Sequence, residues 1–317
     1  MPDGINLATG ITAPGIYNIE HERYHSDPIA VPSLSCSIAR MLVRKTPRHA
    51  WQAHARFGSV GIIPSRVMDD GSAVHAMFSG QGHLIETLKT THGAKTKKRH
   101  LIGMPVTAYT TDAAKEERDE IREQGKIPVL SHRLPELLRC YEAALEQLKI
   151  ADDGAVFLSP GRSEVMGVSQ EDDVWLRVLV DRLPNDGALP PGDLKCTEMS
   201  AAPGDWERRL QTEYAFQCAF YRRVLRGAEG FDRPPMRFGV IELEPPHGTV
   251  INAAAPDLQA IAEEEVERAV QRWRHCMRTG VWPLYPRYTA WVGAKPWQIA
   301  EAAEAAFREE QINEIAA

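Results

Sequence analysis

The chain has 317 residues, 43% of them apolar and 25% charged, with a formal net charge of −6. That is enough for one large domain or two modest ones, with the composition of a folded soluble protein. The acidic balance argues against a protein that coats nucleic acid through bulk charge, but it leaves room for an enzyme with a local basic groove. No run of about 18 apolar residues exists, so no membrane span is expected. Met1-Pro2-Asp3-Gly4 lacks a basic start and an apolar stretch, so no export signal is expected. The five cysteines (Cys36, Cys140, Cys196, Cys218, Cys276) are odd in number and scattered, with no C-x-x-C. A cytoplasmic home is expected and a disulfide framework is not.

Residues 1 to about 32, rich in Gly, Pro and polar side chains, read as an extended lead-in. Ser33 to about Ala55 reads as helical, with Ser33 or Ser35 as N-cap, Ile38 and Leu42 inward, and a break at Thr46-Pro47. Asp70 to Phe78 reads as a buried helix in which Gly71 and Ala73 allow close packing. Gln81 to about Ser131 shows little period. It holds the basic run Lys95-Thr96-Lys97-Lys98-Arg99-His100 and a charged helix from about Thr111 to Gln124. Arg133 to Leu148 is amphipathic, with Leu134, Leu137, Leu138, Tyr141, Leu145 and Leu148 at helical spacing.

The pattern then changes. Ala155–Leu158, Glu164–Val168, Val174–Asp181 and Gly192–Thr197 read as strands between turn-forming residues. Trp206 to Arg226 reads as one long helix, Arg237–Leu243 and Thr249–Ala253 as two more strands, and Leu258 to Arg278 as a helix. The tail carries Trp282, Tyr285, Tyr288, Trp291 and Trp297, then an Ala- and Glu-rich helix to about Ile315. This order predicts an α/β core with a helical N-terminal elaboration. One domain is expected: 1–150 mainly helical, 151–255 the core sheet and helix, 256–317 the C-terminal helices.

The chemistry concentrates at Asp181, in Val180-Asp181-Arg182-Leu183, and at Asp193-Leu194-Lys195 twelve positions later. Two acids on adjacent strands supply hard oxygen ligands suited to Mg²⁺ or Mn²⁺. Lys195 shares a face with Asp193, because side chains two apart on a strand point the same way. There it can orient a water or meet negative charge on a phosphate. A lone D-x-K is weak, and its company gives it weight. His75 stands on an otherwise apolar helix, as a satisfied core histidine or as a third ligand beside Asp181 and Asp193. Glu164 opens a strand before Asp181 and reads equally as a metal neighbour or a strand-end charge. Gln217 and Tyr221, four apart, share a helix face. Gln217 can hold a lysine or a phosphate and the Tyr221 hydroxyl can touch a nucleic-acid backbone, or the pair is solvated amide and core ring. Arg44, Lys45, Arg48 and the run holding Lys97, Lys98 and Arg99 are candidate phosphate contacts, or a solvated loop.

The order His, Glu, Asp, D-x-K, Q-x-x-x-Y resembles the PD-(D/E)xK nuclease superfamily, in its RecB-like and lambda-exonuclease branch. More narrowly it is similar to the RecE-type (exodeoxyribonuclease VIII-like) exonucleases of phages and prophages. Tyr24-His25-Ser26-Asp27, Pro32-Ser33-Leu34-Ser35 and Pro47-Arg48-His49-Ala50-Trp51 resemble that family's N-terminal segments, and Trp273-Arg274-His275-Cys276 through Gly280-Val281-Trp282-Pro283 its C-terminal one. The resemblance implies a restriction-endonuclease-like core, a mixed central sheet flanked by helices. It implies His75, Asp181, Asp193 and the Leu194 backbone carbonyl as metal ligands, Lys195 as catalytic lysine, and Gln217 and Tyr221 as the helix motif. It further implies 5′-to-3′ degradation of linear duplex DNA, 3′ tails for a single-strand annealing partner, and a ring-like homo-oligomer. Some such nucleases carry an iron–sulfur cluster, and the clustered cysteines that would hold one are missing from this sequence. An endonuclease or branched-DNA nuclease of the same fold, and a non-catalytic DNA-binding relative, are the alternatives. No G-x-S-x-G, G-x-x-x-x-G-K-[ST] or G-x-G-x-x-G speaks for other chemistry.

Overall fold

The computed structural model describes residues 5–6, 10–58, 66–93 and 99–316. They fall into two compact units, 1–283 and 284–317. The lead-in proves to be part of the core. Strands β1 (Ile5–Asn6) and β2 (Gly10–Ile11) pair with each other, and β3 (Gly15–Asn18) joins the central sheet. A short helix α1 (His21–His25) and strand β4 (Leu34–Ser35) follow. Ile11, Tyr17, Tyr24 and Ile29 are apolar enough to be drawn inward, against Met166, Val168 and Leu179. Ser33 caps no helix; it is buried, its hydroxyl donating to Asp27 at 2.5 Å.

The helical stretch expected from Ser33 to Ala55 breaks at Thr46-Pro47 as expected, into α2 (Cys36–Arg44), with Ser35 at its N-cap position, and α3 (Pro47–Ala53). Thr46 accepts from the His49 N–H at 3.4 Å and Pro47 takes the first turn, where its missing N–H is harmless. Helix α4 (Arg66–Phe78) runs close to the sheet: a Cβ at Gly71 would stand 3.3 Å from Cys196 Cβ. The weakly periodic region forms a small annex. Strands β5 (Ile85–Thr87) and β6 (Ile127–Val129) pair in parallel beside α5 (Asp112–Glu123), whose N-cap Thr111 accepts from the Ala114 N–H at 3.2 Å. Asp69 of α4 binds Arg122 of α5 at 2.7 Å, tying annex to helix.

Helix α6 (Leu134–Ile150) matches its periodicity. The expected strand Ala155–Leu158 is instead a helical turn, α7. Val156 and Phe157 are both buried, and consecutive residues of a strand would face opposite ways. The Phe157 ring fills space left by Gly192 and Gly239, where a Cβ would come within 2.8 and 2.9 Å of it.

The central sheet consists of β7 (Gly161–Glu171), β8 (Val174–Pro184), β9 (Gly192–Thr197), β10 (Arg237–Glu242) and β11 (Thr249–Asn252), with β3 on the far edge. Its order is β11-β10-β9-β8-β7-β3, with β4 beside β8. Strands β9 and β10 are parallel, as are β4 and β8, and the other pairings are antiparallel. The expected long helix between β9 and β10 runs continuously from α8 (Pro203–Arg209) into α9 (Ala215–Glu229) through a single π-helical turn at Leu210–Tyr214. Helix α10 (Pro256–Thr279) buries Val266, Val270 and Trp273 in one cluster with Phe216, Phe220, Val224 and the β8 valines. The fold is thus a mixed sheet flanked by helices. The second unit consists of an irregular stretch and α11 (Pro296–Ala316). Among the described residues no helix is long and apolar enough to cross a membrane.

Candidate active site

Three acids line up across three neighbouring strands. Strand register sets Ser163 opposite Arg182 and Val165 opposite Val180, so Glu164 stands opposite Asp181. Arg182 pairs with Gly192, which sets Asp181 opposite Asp193 one step further along. Opposed residues of adjacent strands share a face, so Glu164, Asp181 and Asp193 form one row. The ladder opens where the row sits. Glu164 has φ +52°, an uncommon conformation for a side-chain-bearing residue that re-aims its carboxylate. Arg182–Gly192 is the one paired position between β8 and β9, and the next amide, Leu194 N–H, donates to Asp181 Oδ2 at 3.0 Å. A strand residue's N–H and C=O face the same edge, so the Leu194 carbonyl opens toward the same notch.

His75 reaches the row from α4. Its Nδ1 lies 3.1 Å from Glu164 Oε1 and its Nε2 lies 3.0 Å from Asp181 Oδ2. One ligand atom from each of His75, Glu164 and Asp181 lies within 4.8 Å of the others. Asp193 is set slightly apart: its buried carboxylate is gripped by the Lys195 ammonium and by the Gln217 side-chain amide. The sequence trio His75, Asp181 and Asp193 is therefore met as His75 and Asp181 with Glu164 at the centre, and Asp193 beside them.

The electrostatics follow from crowding. Burial and the Asp181 and Asp193 charges push Glu164 up to about 7, against the pull of His75. Burial and Asp181 push Asp193 up to about 6, against Lys195 and Gln217. Burial alone would lower His75, but the carboxylates of Asp181 and Glu164 override it and raise the imidazole to about 9. Burial would likewise raise Asp181, yet the His75 and Lys195 charges hold it low. Fully ionised, the carboxylates of Glu164, Asp181 and Asp193 would outnumber the cations of Lys195 and His75, and Glu164 and Asp193 resist ionisation for that reason. Oxygen-rich donors with that surplus fit a hard divalent cation, and one imidazole is compatible with it.

The remaining candidate residues are placed as follows in the described structure. Tyr221 is buried and its hydroxyl donates to the Leu179 carbonyl at 2.8 Å, so it braces β8 and offers nothing to a nucleic-acid backbone. Gln217 holds Asp193 rather than a lysine or a phosphate. Arg44 ties α2 to the Thr212 carbonyl and to Glu265. The Arg48 guanidinium lies 4.2 Å from the Trp51 ring centre. Lys45 is exposed. Lys97 and Lys98 lie outside the described residues, as does the side chain of Arg99. Sequence reasoning missed two features. The His21 and His25 rings meet at 3.2 Å on α1, and His21 feels the charges of His75 and Asp181. Tyr214 stands beside Lys195. The histidine spacing was readable as an i, i+4 pair, whereas nothing local marked Tyr214.

A family model described as "PDDEXK-like domain of unknown function (DUF3799)" matches residues 36–288. The chain belongs to this family. The matched span holds His75, Glu164, Asp181, Asp193 and Lys195, while α1 precedes it. The crystal structure of a "Putative exonuclease" from Eubacterium rectale is similar in fold, with a TM-score of 0.54 at 15% identity, covering 88% of this chain and 96% of that one. No curated protein matches the chain. Membership of the PDDEXK-like family supports a nuclease.

Proposed function

We propose that the protein is a Mg²⁺- or Mn²⁺-dependent exodeoxyribonuclease that degrades linear duplex DNA from its ends, 5′ to 3′. The observation that carries this reading is the convergence of His75, Glu164 and Asp181 beside the Asp193–Lys195 pair. His75, Asp181, Asp193 and the Leu194 carbonyl would hold the ion, with Glu164 adjoining. When bound, such an ion lowers the pKa of a water and stabilises negative charge on the leaving 3′ oxygen. Lys195, fixed by Asp193, offers its positive charge to the phosphate where charge develops. Gln217 keeps Asp193 in place, and the Leu194 N–H does the same for Asp181. The family resemblance read in the sequence supports the finer parts: 3′ tails passed to a single-strand annealing protein, a ring-like homo-oligomer around DNA, and a cytoplasmic location.

The test is incubation with end-labelled linear duplex and with covalently closed circular DNA, with Mg²⁺ or with EDTA. Expected is Mg²⁺-dependent loss of the linear DNA, mononucleotide release from the 5′ end, and an intact circle. Cleavage of the circle would overturn the exonuclease reading, and no cleavage of either would overturn the nuclease reading.

A further inference from the structure

Lys195 has an aromatic neighbour that the reaction above does not use. Its Nζ lies 5.4 Å from the centre of the Tyr214 ring, within the range of cation–π attraction. That ring is itself held firmly. It stacks on Trp206, centroids 5.4 Å apart and planes within 11°, and Phe238 of β10 leans against it at 5.3 Å. Trp206 is 2% exposed and its indole N–H donates to the Ser200 carbonyl at 3.1 Å.

The π-helical turn explains how the ring arrives there. In an unbroken α-helix Tyr214 would lie about 80° round the axis from Trp206, eight residues at ~100° each. A wider turn winds less per residue and brings the two rings toward register. Tyr214 closes that turn, and Gln217 follows three residues later on the same side of the helix. One helix edge therefore carries the partner of Asp193 and the partner of Lys195.

We propose that Tyr214 is a positioning residue for Lys195, and that Tyr214 and Gln217 together clamp the two functional side chains of the D-x-K strand. A lysine side chain is long and loses much rotamer freedom when fixed. The ring holds its ammonium near the acids, and an aliphatic side chain at 214 would fill space without that attraction. This inference rests on the nuclease reading for what Lys195 does, and the contact itself is tested apart from activity.

The experiment combines lysine-selective ¹³C labelling with kinetics on linear duplex DNA in Mg²⁺. In the wild-type protein the Lys195 Cε–Hε signal, assigned by its loss in Lys195→Arg, should be shifted upfield by the ring. It should stay shifted in Tyr214→Phe and return to the ordinary lysine position in Tyr214→Leu. Tyr214→Leu should lose about ten-fold in kcat with KM for DNA changed less than two-fold, and Tyr214→Phe should restore kcat. If the leucine variant fails to fold, Tyr214→Met takes its place. An unshifted Lys195 signal in the wild type, or full kcat in a folded variant without the ring, overturns the inference. A shifted signal in a protein without nuclease activity would sink the function and leave the contact standing.

Discussion

Strand β8 carries two charged assemblies four residues apart, one around Arg177 and one around Asp181, and they are built in opposite ways. At the first, the single acid Asp27 is fully engaged. It accepts from the Ser33 hydroxyl at 2.5 Å and the Ser33 N–H at 3.0 Å, meets Arg177 at 3.0 Å, and has the His54 ring at 3.4 Å. Burial keeps that imidazole below its ordinary pKa. The lone acid is answered by the Arg177 guanidinium and, at 4.0 Å, by that of Arg56, and the assembly pins the lead-in to the sheet. At the second, Glu164, Asp181 and Asp193 face one another in an opened ladder, and the like charges raise Glu164 and Asp193. A matched buried pair braces a fold, whereas a surplus of one sign waits for a counter-charge.

Breaking the two assemblies should therefore produce opposite phenotypes. Asp193→Ala should remove nuclease activity to background, with the thermal midpoint within a few degrees of wild type, because relief of like-charge crowding with Asp181 offsets the lost pairing with Lys195; near-normal turnover would contradict the site. Arg177→Ala should destabilise by about 3–5 kcal/mol, seen in urea unfolding, because it strands Asp27 in the core. A stability loss below about 1 kcal/mol would mean that the Asp27 knot is not structural. Lys195→Ala should lower kcat by about a hundred-fold or more while Mn²⁺ still binds, as read by calorimetry.

Acidity sharpens the contrast further. His75 is raised above its ordinary 6.5 to about 9, so in the metal-free protein its pairing with Asp181 stabilises fully below pH 6.5 and fades as pH rises through about 9. An imidazole must be neutral to ligate a metal, so Mn²⁺ affinity should climb across that same window as His75 loses its proton, with Glu164 and Asp193 adding to the rise as they ionise from about 6 to 7. A flat affinity from pH 6 to 9 would argue that His75 does not bind the ion. The smallest effect belongs to Tyr221→Phe: about 1–2 kcal/mol of stability, from the orphaned Leu179 carbonyl, with kcat unchanged.

Much of this site was legible because its signals are local. Asp181, Asp193 and Lys195 sit in short apolar runs, and His75 breaks an apolar helical face. The strands β7 to β11 and helices α4, α5, α6 and α10 follow from period and caps. The rest depends on pairing between distant segments. The lead-in joins the sheet because β7 offers it an edge, and α7 is helical because Phe157 plugs gaps at Gly192 and Gly239. Whether Tyr221 faced solvent or core turned on the Leu179 carbonyl, and the central role of Glu164 turned on a register invisible in sequence.

The most direct measurement is anomalous scattering from a crystal soaked in Mn²⁺. A peak coordinated by His75 Nε2 and Asp181, with Asp193 or the Leu194 carbonyl completing the shell, is what the charge surplus predicts. A peak elsewhere, or none at saturating Mn²⁺ with the notch open to solvent, would contradict it.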